Sequence, residues 1–214
     1  LTAHYMEALV VVVALTALIG IALAVTARLL VATLYGGEHA GSAPILSVLA
    51  VYTVVYSASF HAGDVFKAMG KPGILTALNA GKLVVLVGPI WWAAGHSATL
   101  VAWALLATEV VHFVVRMAVL QRLTSLRLTA LAGALLRPAA AALPMGAVLL
   151  GLGRVTAGLP APFELALLIV VGILVYVALL RFTAPRLVAA ATQMVRRKLS
   201  RTAASEPTTA KEGS

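Results

Sequence analysis

The chain has 214 residues, 62% of them hydrophobic and 11% charged, with a formal net charge of +9. A soluble domain carries about 25% charged residues to cover its surface, so this composition excludes a water-facing shell and makes lipid the solvent for most of the chain. The positive balance does not point to nucleic acid, because Lys and Arg sit in short breaks between apolar runs and in the tail rather than on one polar face.

Cysteine is absent, which excludes disulfides, thiolate catalysis and Cys-based zinc sites. No metal site and no cofactor is expected. The chain opens at Leu1 with neither an initiator Met nor a basic n-region, which reads as the C-terminal part of a longer protein without a signal peptide.

Six apolar runs predict an all-α, polytopic membrane bundle with transmembrane helices at 8–34, 43–66, 73–94, 98–120, 138–155 and 163–182. Most approach or exceed the ~20 residues needed to cross a hydrocarbon core of about 30 Å. The first is longer than required and should tilt or project. Between the fourth and fifth runs, residues 125–136 interleave Leu126, Leu128, Leu131 and Leu135 with Ser125, Arg127, Thr129 and Gly133. They read as a short amphipathic helix in the inner interface. The alternative starts the fifth helix near Thr129 and buries Arg137, at a cost of at least ~2.5 kcal/mol if unpaired at mid-depth. Residues 1–199 form the membrane lobe, and residues 200–214, polar and small, read as a disordered tail.

The basic residues alternate by connection. Lys67 and Lys71 follow the second run, Arg116, Arg122, Arg127 and Arg137 surround the connection after the fourth, and seven cations from Arg181 to Lys211 follow the sixth. The other connections are nearly free of them. This places the basic breaks and both ends of the chain on the cytoplasmic side of the cytoplasmic membrane. Trp91, Trp92, Trp103 and Tyr35 stand at run ends on the opposite side, as interfacial anchors do.

Polar stripes mark helix faces that need a partner or water. The second run has Thr53, Ser57, His61 and Asp64 on one face, with Tyr52, Tyr56, Ser59 and Gly63 on an adjoining one. The third has Thr76, Asn79 and Lys82, and the fourth Glu109, His112 and Arg116. The first and sixth have little comparable, which suggests lipid contact or plain packing. Lys82 lies roughly 14 Å into the third helix from the inner side and Glu109 roughly 16 Å into the fourth from the outer side, so antiparallel helices bring both near the mid-plane. They are expected to pair, or to face a water-filled cavity together. A purely structural ion pair is the other reading. His61 with Asp64 resembles a proton-relay pair, Arg28 can snorkel, and Lys67 and Lys71 read as topology determinants. No phosphate-binding Gly-rich loop, HExxH or GxSxG occurs, so an enzyme is not expected.

The segments LYGGEHAGSAPILSVLAVYTVV (34–55) and FHAGDVFKAMGKPGIL (60–75), with Arg137-Pro138 opening the fifth run, resemble recurring segments of polysaccharide exporters. Over about residues 9–182 the chain resembles the Wzx-type lipid-linked oligosaccharide flippases of the multidrug/oligosaccharidyl-lipid/polysaccharide exporter superfamily. It departs from them at Ala27-Arg28, where such proteins often carry a Pro. The resemblance implies the C-terminal lobe of a two-lobed exporter whose partners are a lipid-linked glycan, membrane lipid and a missing N-terminal lobe. It implies alternating access, with Lys82 and Arg116 offsetting substrate phosphate in a cavity that also includes Glu109, His112, Asn79 and Tyr56. An ion-coupled drug antiporter using His61, Asp64 or Glu109, a lipid II flippase and a non-transporting membrane scaffold stand as alternatives.

Overall fold

A computed structural model of the chain describes residues 2–60, 62–124 and 128–184. Every regular element among them is helical: α1 (Thr2–Tyr35), a 3₁₀ segment (Gly37–Ser42), α2 (Ala43–Phe60), α3 (Ala62–Ala68), α4 (Pro72–Ala94), α5 (Ala98–Leu123), α6 (Leu128–Thr156) and α7 (Ala161–Thr183). Six stretches are long and apolar enough to cross a membrane, with Gly37–Ala68 counting as one. Large apolar side chains such as Val84, Val87, Val114, Leu174 and Phe182 stand outside on these helices. Exposed apolar surface on this scale is stable only against lipid, and the chain is a multi-pass membrane protein.

Local chemistry sets the helix ends. Gly70 takes φ +71°, a conformation that favours glycine, and the Gly70 and Lys71 amides close back onto Lys67 O and Phe66 O, both at 2.9 Å. Pro72 then opens α4, where its missing N–H costs nothing. Ser97 caps α5, its hydroxyl accepting from the Leu100 amide at 3.2 Å. At Ala27-Arg28, α1 continues unbroken.

α1 is the central packing helix, touching α2, α6 and α7, while α5 lies between α2 and α4. Gly20 makes the close approach of α1 to α2 possible, because a Cβ there would stand 2.9 Å from Ala50 O. Three apolar clusters hold the bundle. One gathers Leu9, Ala58, Phe66, Met117 and Leu120 at the end that carries the α3–α4 turn. A second joins α1, α6 and α7 through Ala17, Met145, Leu149 and Leu168, and a third joins α2 to α5 through Val48, Ala102 and Leu106. Tyr176 adds a polar pin, its hydroxyl donating to Ala14 O at 2.7 Å. α1 is thus a packing element, whereas α4 leaves most of its surface outside.

The structure corrects one expectation. α6 is a single helix from Leu128 through Pro138 and Pro144, with no break between an interfacial segment and a fifth span. The physical reason is length: α6 runs about 43 Å, longer than the hydrocarbon core, so Arg137, exposed about 14 Å from its start, can snorkel to the interface rather than be buried. Trp91, Trp92, Trp103 and Tyr35 are all exposed, as anchors are and core residues are not. His61, residues 125–127 and the tail at 200–214 lie outside the described residues.

Candidate functional site

Three helices bring their polar stripes together around Lys82 and Glu109, which lie near the middle of α4 and α5. α4 contributes Asn79 and Lys82, one turn apart. α5 contributes Glu109, His112 and Arg116, spaced three and four residues and therefore on one face. α2 contributes Tyr52, Tyr56 and Ser59, which share a face at spacings of four and three. Lys82 lies about 15 Å from the start of α4 and Glu109 about 16 Å from the start of α5, so both sit near mid-depth of a membrane spanned by these helices.

The Glu109 carboxylate is the centre of the cluster. It is wholly buried, and an isolated carboxylate in such surroundings would carry a large desolvation penalty. Lys82 Nζ pairs with Glu109 Oε2, and the Ser59 hydroxyl donates to Oε1 at 3.0 Å. Arg116, also buried, donates from Nη1 to Ser59 O at 3.0 Å and from Nη2 to Asn79 Oδ1 at 2.7 Å. A ring of contacts therefore runs from α4 through α5 and α2 and back to α4. Lys82 Nζ also stands 5.8 Å from the Tyr52 ring and 5.6 Å from the Tyr56 ring, which stack 5.9 Å apart. Aromatic faces stabilise a partly desolvated cation, so Lys82 has a second favourable neighbourhood beside its carboxylate.

Two further features bear on what this cluster can do chemically. Lys82 and Arg116 bring two cationic groups beside the Glu109 carboxylate. His112 Nε2 is buried with no hydrogen-bond partner among the described residues. Both residues line a cleft of about 120 Å³ with Tyr56, Asn79, Glu109 and Arg116, and the cleft extends past Phe60 to Asp64 and Lys67. Asp64 and Lys67 form an exposed ion pair at 3.6 Å where the cleft reaches the α3–α4 turn. Such a volume holds about four waters, enough for a phosphate-sized group and too little for a sugar chain.

All six expected cavity residues, Lys82, Glu109, Arg116, His112, Asn79 and Tyr56, line this cleft. Asp64 lies at its mouth paired with Lys67, while His61, its expected relay partner, lies outside the described residues. Thr53 and Thr76 bond their own helices, at Leu49 O and Pro72 O, and take no part. Ser59 is the residue that sequence reasoning placed on the right face without recognising as the hub. Its signal was its place seven residues after Tyr52 and three after Tyr56, on the same helical face. No protein-family model, curated protein or solved structure matches the chain.

Proposed function

We propose that this chain is one lobe of a membrane exporter that flips a lipid-linked oligosaccharide or polysaccharide precursor across the cytoplasmic membrane. The observation that carries this reading is the Lys82–Glu109–Ser59–Arg116 cluster, which sets two cationic groups and a carboxylate around a polar cleft reaching mid-depth. Ionisable groups at that depth are costly, and their usual role is to serve a transport path. The cleft is sized for a phosphate group, so the glycan would pass through space outside this chain, between it and a second lobe. Alternating access then exposes the cleft first to one side and then to the other. In this reading the Asp64–Lys67 mouth and both chain ends face the cytoplasm, which the basic connections support.

The resemblance of residues 34–55 and 60–75 to Wzx-type flippases supports the same reading. It assigns no covalent chemistry to the chain. An antiporter for cationic drugs fits less well, because Glu109 is already neutralised by Lys82 and a cation would meet like charge. The test is translocation of a polyprenyl-diphosphate-linked oligosaccharide in vesicles holding the full-length protein. Arg116→Gln should lose translocation at normal expression. Unchanged translocation at normal expression would overturn the proposal.

A further inference from the structure

Lys82 and His112 line two clefts at once. Besides the polar cleft shared with α2, they border a groove of about 250 Å³ lined by α4 and α5 alone. Its walls are apolar, formed by Leu78 and Val85 on α4 and by Val111 and Val115 on α5. Gly81 leaves it open, since a Cβ at that position would meet nothing within 4 Å. Helical spacing explains the double role. Lys82 belongs with Asn79 on the polar side and with Leu78 and Val85 on the apolar side, and His112 likewise belongs with both Glu109 and Val115.

An apolar groove of this kind stays dry and fills with hydrocarbon. Its polar end is different, because the buried His112 Nε2, which has no hydrogen-bond partner among the described residues, stands there with the Lys82 ammonium. A purely hydrocarbon occupant would leave Nε2 unsatisfied, whereas an oxyanion fixed to the end of the chain would accept from Nε2–H and from Lys82. We propose that the α4–α5 groove seats the hydrocarbon chain of a lipid phosphate whose head group reaches Lys82 and His112. The inference rests on the proposed transport of a lipid-linked precursor and deepens it, by giving the tail a place on this lobe while the head enters the polar cleft.

These 214 residues lack cysteine, so single cysteines introduced into them report position once any cysteine elsewhere in the full-length protein is replaced by serine. A fluorophore on Val111→Cys, with Val84→Cys as a control away from the groove, is measured in phosphatidylcholine vesicles holding the full-length protein. The probe is a polyprenyl phosphate carrying a nitroxide quencher on its chain, with the corresponding uncharged polyprenol beside it. The expected result is saturable quenching at Val111→Cys, several-fold stronger with the phosphate than with the alcohol and absent at Val84→Cys. Gly81→Leu, which fills the groove, should abolish the saturable component, and Val115→Trp serves the same end if that variant folds poorly. Equal quenching by both lipids, or equal quenching at both positions, would overturn the proposal. Saturable binding without translocation would uphold the groove and sink the transport reading. Translocation with binding indifferent to both groove-filling variants would do the reverse.

Discussion

Lys82→Met is the most informative single change, because it removes the partner of a wholly buried carboxylate. Glu109 would keep the Ser59 hydroxyl at 3.0 Å and lose the Lys82 ammonium paired with it. Breaking a buried pair from one side costs about 3–5 kcal/mol, and the neighbouring Arg116 and Ser59 favour the lower end, about 3 kcal/mol. For a chain of this size that corresponds to a fall in melting temperature of about 6–12 °C. Replacing both members is a different perturbation. Lys82→Met with Glu109→Met leaves no stranded charge and should return to within about 1 kcal/mol of the native chain. Thermal unfolding in detergent, on the four members of this cycle, gives the coupling directly. A double variant no more stable than Lys82→Met alone would refute the argument that Glu109 depends on Lys82. Translocation by the stable double variant then separates the roles. If the pair serves only packing, translocation survives; if the cleft carries substrate phosphate, it is lost.

Ser59→Ala removes the donor to Glu109 and a contact of Arg116, and should cost about 1–3 kcal/mol in the same melts, far more than an exposed Ser→Ala change. Gly20→Ala should destabilise by about 1–3 kcal/mol, because the added methyl meets Ala50 O and Val54 where α1 crosses α2. Gly81→Ala, facing open space, should instead be neutral or stabilising by up to about 1 kcal/mol through helix propensity, so equal melting of these two glycine variants would contradict the packing described. Tyr176→Phe should lose about 1 kcal/mol with the bond to Ala14 O, and unchanged melting would show that this bond does not pin α7 to α1.

Much of this was legible in the amino-acid sequence because lipid imposes simple rules. Apolar length marked the crossings, and depth along antiparallel helices was enough to bring Lys82 opposite Glu109. Arg116, His112 and Asn79 followed from residue spacing, since the first two share a helical face with Glu109 and the third with Lys82, while Tyr56 belongs to the polar face of α2. What escaped depended on which helix faces meet. Ser59 is a small polar residue whose importance comes from lying where α2 crosses α5, and no pattern within α2 states where that crossing falls. The continuity of α6 escaped for another reason. Arg137 looked expensive to include in a span, but a helix longer than the hydrocarbon core can carry a cation near its end with the side chain exposed. The α4–α5 groove owes its opening to Gly81, and a glycine within an apolar run reads equally well as packing until the space beside it is known.

The central claim is that water reaches the cationic cluster through the cleft at the Lys67 end. Phe60 lines that cleft and is half exposed, and these 214 residues offer no competing thiol, so any cysteine elsewhere in the full-length protein is first replaced by serine. Labelling of Phe60→Cys by a membrane-impermeant maleimide, applied to inside-out vesicles, measures the access directly. Several-fold faster labelling than at the lipid-facing Val84→Cys, slowed by saturating lipid-linked substrate, is the outcome this account requires. Labelling no faster than at Val84→Cys, or labelling only from the exterior of intact cells, would contradict it.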